Sequence, residues 1–183
     1  MAIDHIKTDL FSPVIWFTGL PCSGKTTLSK ALAGYLQERH VKVSPLDGDE
    51  IRAFIPQAGF SLEERNTHLR YVGFLARKLS ESGIFVTASF VSPTNIQRDI
   101  VRNICPNLVL IFVSTPLELC EERDVKGMYK MAREGKIKDF TGVSSPFEIP
   151  ENPDLEIDTG SRDIESCVLE IAGLLKKRGM LVK

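Results

Sequence analysis

Charge of one sign is missing from this chain. Its 23 basic side chains are matched by 24 acidic ones, a formal net charge of −1 at pH 7. So balanced a surface exerts no general pull on nucleic acid or on an acidic membrane. The single basic run, Lys176-Lys177-Arg178, closes what reads as an amphipathic helix, where cations suit the helix dipole. Metal-ligand spacing is missing too. Cys22, Cys105, Cys120 and Cys167 lie far apart with no C-x-x-C, and His5, His40 and His68 add no ligand spacing. That argues against zinc and against a disulfide framework. The cysteines read as reduced, mostly buried thiols of a cytoplasmic protein, with Cys22 set apart because it lies in a loop. No apolar run nears the roughly 18 residues that span a bilayer. The opening stretch MAIDHIKTDLFSP has no apolar core of a signal peptide. Internal repeats, low-complexity tracts and domain linkers are absent as well.

What is present suits one domain over residues 1–183, since 183 residues with 43% hydrophobic content can build a core. Short apolar, β-branched runs read as buried strands at Val14–Thr18, Val41–Leu46, Ile84–Phe90 and Leu108–Val113, with a possible fifth at Leu155–Thr159. Helical spacing lies between them. Leu28, Ala31, Leu32, Tyr35 and Leu36 share one face; Leu69, Val72, Leu75, Ala76 and Leu79 share another. Ser61 and Glu64 stand as N-cap and N3 of a capping box. Residues 94–103 read as helical, Pro116 as a helix start, and Asp163–Lys177 as the last helix. Strands alternating with helices give an α/β fold: three layers, a parallel sheet with helices on both faces. Ligands in such folds sit beyond the carboxyl ends of the strands. Residues 123–153 are polar, rich in Lys, Gly and Pro, and show no strand pattern, as a mobile lid would.

The stretch GLPCSGKTT, Gly19 to Thr27, carries the phosphate chemistry. Gly19-x-x-x-x-Gly24-Lys25-Thr26 is a full P-loop, preceded by a strand and followed by a helix, which makes the architecture a P-loop nucleoside-triphosphate hydrolase fold. Gly19, Leu20, Pro21, Cys22, Ser23, Gly24, Lys25, Thr26 and Thr27 are the candidate nucleotide cradle, with backbone N–H groups turned toward phosphates. Lys25 is expected at the β- and γ-phosphates of ATP, and Thr26 at Mg²⁺. LDGDEIR, Leu46 to Arg52, ends the second strand and brings Asp47 and Asp49 to the loop's mouth. In-line transfer to a hydroxyl needs a carboxylate to accept its proton or to help hold the metal, and either can serve; a plain polar turn is the bland reading.

These motifs, with GFSLEER, SFVSP, CEERDVKGMYKMAREGKIKDFTG and PENPDLEIDT, resemble the adenylylsulfate kinase (APS kinase) family from about Val14 to Thr159. RDVKGMY followed by FTG is the most specific part. The resemblance implies transfer of the γ-phosphate of ATP to the 3′-hydroxyl of adenosine 5′-phosphosulfate (APS), giving PAPS and ADP. It implies that Asp49, Arg52, Phe60, Arg65, His68, Val91, Ser92, Lys126, Asp139 and Phe140 meet the substrate. Phe60 and Phe140 would sandwich the adenine. Lys25, Asp49 and Ser92 would be catalytic, Ser92 chiefly as a positioning residue. Thr26 and Asp47 would hold the metal. It also implies a homodimer, with ATP sulfurylase as a functional partner. The residues agree, since flat rings suit a purine and Arg and Lys suit a phosphosulfate. Taken alone, Phe60 and Phe140 read more readily as core. Arg123, Lys126, Lys130, Arg133, Lys136 and Lys138 crowd the lid, with Arg123 and Arg133 both candidates for the ATP phosphates.

Three departures from the family pattern stand out. His68 replaces an asparagine, with a pH dependence near 6–7 expected from it. Thr94 and Asn95 replace a tyrosine and an arginine. The lead before the first strand is about 13 residues, short for the family, so weaker inhibition by substrate is expected. Two rivals remain at this stage: a gluconate-, shikimate- or antibiotic-type kinase, and a nucleotide-binding module without acceptor chemistry.

Overall fold

A computed structural model describes residues 11–55 and 61–181. Its centre is β1, Val14–Gly19, in which every residue is buried. Alternation splits its side chains between two cores, as the two-residue period of a strand requires. Ile15 and Phe17 face α1, Lys25–Gln37, and α7, Ile164–Lys177. Val14 and Trp16 face α3, Leu62–Glu81, and α4, Asn95–Ile104. The other strands are β2, Val43–Asp47, β3, Phe85–Ser89, β4, Leu108–Val113, and β5, Leu155–Ile157. All pair in parallel in the order β2-β3-β1-β4-β5, and in register Trp16 lies between Ala88 and Leu110. The three layers and parallel sheet are those the alternating pattern predicts.

Local chemistry sets the ends. Ser61 and Glu64 form the reciprocal capping box, and Thr94 caps α4 by accepting from the Gln97 amide. Among the expected strands, the second begins at Val43 rather than Val41, and the fifth ends at Ile157. Two helices go beyond the sequence reading. LDGDEIR runs into α2, Gly48–Phe54, and is not only a turn. Residues 123–153 contain α6, Met128–Arg133, after α5, Leu117–Arg123. Asp124 starts α6 by accepting from the amides of Tyr129 and Lys130, both at 3.1 Å. A third small core, Cys120, Tyr129, Ala132 and Phe140, packs this segment onto Leu20 of the P-loop. Cys105, Cys120 and Cys167 are buried and Cys22 is half-buried, all of them free thiols. Among the described residues no helix is long and apolar enough to cross a membrane.

Candidate functional site

The carboxyl ends of β1, β2, β3, β4 and β5 carry the groups that meet at one cleft. Gly19 ends β1 so close to β4 that a Cβ on it would lie 2.5 Å from the Val113 carbonyl oxygen. Gly24 takes φ +93° against the Thr159 hydroxyl, a conformation open to glycine at little strain. Between them the loop bonds to itself. Leu20 O accepts from the Ser23 amide at 3.2 Å and from Lys25 Nζ at 2.5 Å. Burial pushes the Lys25 amine down to about 8, although Asp47 and Asp49 among its neighbours favour its charge.

Asp47 is the hub. Its Oδ2 accepts from the Thr26 and Ser89 hydroxyls, both at 2.7 Å, while its Oδ1 accepts from the amides of Asp49 at 2.9 Å and Glu50 at 3.4 Å. Oδ1 is thus the N-cap of α2, and Asp49 and Glu50 lie in that helix's first turn, where acids suit the dipole. Burial works to raise the Asp47 carboxyl; the hydrogen bonds, led by those of Thr26 and Ser89, outweigh it and hold it below the usual range. A carboxylate and two hydroxyls, with Thr26 and Ser89 3.2 Å apart, form an all-oxygen set. Such a set fits Mg²⁺, which keeps waters and takes substrate phosphates in place of a closed protein cage. Among the described residues no group of three His, Cys, Asp or Glu side chains is clustered so as to hold a metal ion. Ser89 was missed at the sequence level because it reads as a strand residue. Its register with Asp47, last residue against last residue of adjacent parallel strands, is the signal.

Across the mouth, Lys126 Nζ meets Asp49 Oδ2 at 2.6 Å. Arg65 donates to the Asp139 carbonyl at 2.7 Å and to the Thr141 hydroxyl at 3.2 Å. Burial and then the charge of Arg65 disfavour the Arg52 cation, so two arginines address one space. Phe140 is buried, its ring edge-on to Tyr129 with centroids 5.0 Å apart. It belongs to the small core here. Phe60 lies outside the described residues.

Ser92 sits at φ +42° and is buried, its hydroxyl accepting from Trp16 Nε1 at 3.0 Å. Its carbonyl accepts from Arg98 at 2.8 Å, and the Val91 carbonyl accepts from the Thr18 hydroxyl at 2.7 Å. The Asn95 side chain accepts from Arg98 at 2.6 Å, so Thr94 and Asn95 both have structural work in capping and bracing α4. His68 is buried against Phe90, with no hydrogen-bond partner among the described residues for either ring nitrogen. Burial, helped by Arg52, drops its pKa to about 4. The pH dependence near 6–7 expected from it is thereby corrected, because the ring is neutral throughout that range. Arg123 is tied to Thr159 beside the P-loop, by 3.1 Å to its hydroxyl and 2.8 Å to its carbonyl. Arg133 points to the surface and pairs with Glu121.

Comparison with known proteins adds to this geometry. The family model described as adenylylsulphate kinase matches residues 11–158. The chain is 45% identical over 170 residues to the adenylyl-sulfate kinase of Rippkaea orientalis, covering 92% of this chain and 94% of that one. It superposes with TM-score 0.85 and 34% identity on a Mycobacterium tuberculosis APS kinase solved in complex with AMPPNP and APS, covering 91% of this chain and 98% of that one. A gluconokinase from Sinorhizobium meliloti 1021 shares the fold alone, at 20% identity and TM-score 0.57 over 91% of this chain and 93% of that one.

Proposed function

The chain belongs to the adenylylsulphate kinase family, and from that premise we infer how its own residues divide the work. The protein is an ATP-dependent kinase with a hydroxyl acceptor, transferring the γ-phosphate of ATP to the 3′-hydroxyl of APS. The acceptor's 3′-oxygen bonds to the γ-phosphorus. The bond from that phosphorus to the β,γ-bridging oxygen breaks, and ADP leaves with its electron pair. Asp49 takes or orients the hydroxyl proton. Lys25 leaves the Leu20 carbonyl for the β- and γ-phosphates. Thr26 and Asp47, joined by Ser89, would hold Mg²⁺, which when bound would neutralise phosphate charge. Arg52, Arg65 and Lys126 face the phosphosulfate, and Ser92 stays a positioning residue because Trp16 already holds its hydroxyl.

The observation that carries this reading is Asp47. One side chain joins the P-loop threonine to the helix that presents Asp49. Residues 123–153 act as a lid hinged around α6, and the described residues form one kinase domain. A homodimer is supported by Tyr71, Phe74 and Leu75, 63%, 58% and 43% exposed at neighbouring positions of α3. Light scattering should then report twice the 20.4 kDa of one chain. A cytoplasmic setting suits the free thiols, and sulfate assimilation beside an ATP sulfurylase suits the substrate. The decisive assay is ADP release with ATP and Mg²⁺, with and without APS, with PAPS identified chromatographically. APS-dependent ADP release with matching PAPS is expected; ADP release indifferent to APS overturns the reading.

A further inference from the structure

Two threonines outside the phosphate-binding motif reach one carbonyl inside it. Thr115, just beyond β4, donates its hydroxyl to Ser23 O at 2.9 Å. Thr159, just beyond β5, donates to the same oxygen at 2.8 Å. The two hydroxyl oxygens lie 2.9 Å apart. Arg123 braces Thr159 from the far side through both its hydroxyl and its carbonyl. All of this is dry: Ser23, Thr115 and Thr159 are 0%, 3% and 7% exposed.

The chemistry of the cluster is constrained by its protons. There are three short oxygen–oxygen contacts and only two hydroxyl hydrogens, so one contact carries no hydrogen bond at any moment. Either both threonines donate to Ser23 O, or one relays through the other. In both arrangements the carbonyl keeps a donor. The same holds when either hydroxyl is deleted, because the survivor still lies within 2.9 Å of the carbonyl. Only the loss of both leaves a buried carbonyl oxygen without these partners, which is the costly case.

The orientation of that carbonyl matters to the phosphates. Ser23 O belongs to the peptide unit whose N–H is that of Gly24. A carbonyl drawn toward Thr115 and Thr159 turns the Gly24 N–H the opposite way, since the two groups of a planar peptide are antiparallel. A P-loop binds phosphate by such inward N–H groups. A Cβ on Gly24 would lie 3.0 Å from the Thr159 hydroxyl, so the same side chain sets both the plane and the room of this peptide.

We propose that Thr115 and Thr159 form a redundant hook on the Ser23 carbonyl and act as positioning residues for the donor nucleotide. The inference rests on the P-loop being the triphosphate seat, and wild-type binding tests that premise separately. The experiment is calorimetric titration of AMPPNP with Mg²⁺ into wild type, Thr115→Val, Thr159→Val and the double variant, with KM for APS measured alongside. Each single variant should weaken AMPPNP about two- to threefold. The double variant should weaken it about twentyfold or more, beyond the product of the singles, with KM for APS held within about twofold. The double Thr→Ser variant, which keeps both hydroxyls, should restore most of the affinity. Should the double valine variant not fold, Thr115→Ala/Thr159→Ala deletes both hydroxyls without placing a methyl against the carbonyl and is held to the same numbers. A double variant no weaker than the product of its singles, or a parallel rise in KM for APS, overturns the hook. Failure of wild type to bind AMPPNP would strike at the donor site itself.

Discussion

The two sides of the cleft are held by different physics. On the donor side the Ser23 carbonyl of the P-loop is fastened by buried, uncharged groups, the hydroxyls of Thr115 and Thr159. On the acceptor side the closing contact is an ion pair, Lys126 with Asp49, whose side chains are 60% and 77% exposed. Buried neutral hydrogen bonds keep a geometry and ignore salt. Exposed ion pairs contribute roughly 0.2–1 kcal/mol and weaken as salt screens them. One side is therefore a fixed seat and the other a clasp. The difference fits their proposed tasks, with prearranged N–H groups for the phosphates and an acceptor that enters past the proposed lid.

The contrast can be broken in four ways. The largest effect belongs to Asp49→Asn, which should cut kcat by roughly 10²–10⁴. Its melting temperature should stay near that of the wild type, because the side chain is exposed. A kcat within a few fold would remove Asp49 from the chemistry. Next, Lys126→Ala should raise KM for APS roughly tenfold, the equivalent of about 1.4 kcal/mol, and leave KM for ATP alone. The same clasp should loosen with salt, so limited proteolysis in 124–140 should speed up from low to high ionic strength in the unliganded protein. Equal cleavage at all salt concentrations would mean that charge does not hold the segment.

A third test sharpens the donor side. Free Lys25 titrates at about 8, and bound triphosphate favours its charged form. Above that pH the complex holds a proton that the free protein lacks, so affinity for AMPPNP should fall by up to tenfold per pH unit from about 8 upward and stay level on this account below it. A flat profile to pH 10 would show that Lys25 is not the partner. The smallest effect is that of His68. The unfolded chain takes a proton near 6.5 that the folded chain refuses until about 4. Stability should therefore fall as pH drops through that window, and His68→Gln should flatten the slope in chemical denaturation. An identical slope in the variant would assign the acid sensitivity elsewhere.

Much of this was legible in the sequence. The strands and long helices announce themselves because apolar spacing is a local property, and the P-loop because its glycines are. The helix α2 was not, since Asp-Gly-Asp has the composition of a turn; the cap by Asp47, three residues ahead of Glu50, was the readable sign. Ser89, Thr115 and Thr159 act only through neighbours brought in by sheet register, 42, 92 and 136 residues away in the chain. No window along the sequence contains those pairs. His68 shows the converse error: a residue type was given its solution behaviour, and burial changed it. Phe140 was read as a ring for a purine or for a core, and here it packs in the core.

Asp47 has a further consequence. One of its oxygens touches Thr26 at the end of the P-loop and the other hangs the helix that presents Asp49. In the proposed mechanism a single short side chain thus gauges the gap between donor and acceptor. Glutamate in its place would carry the same charge and lengthen that gauge by one methylene, so the protein's tolerance for spacing, rather than for charge, is written at this one position.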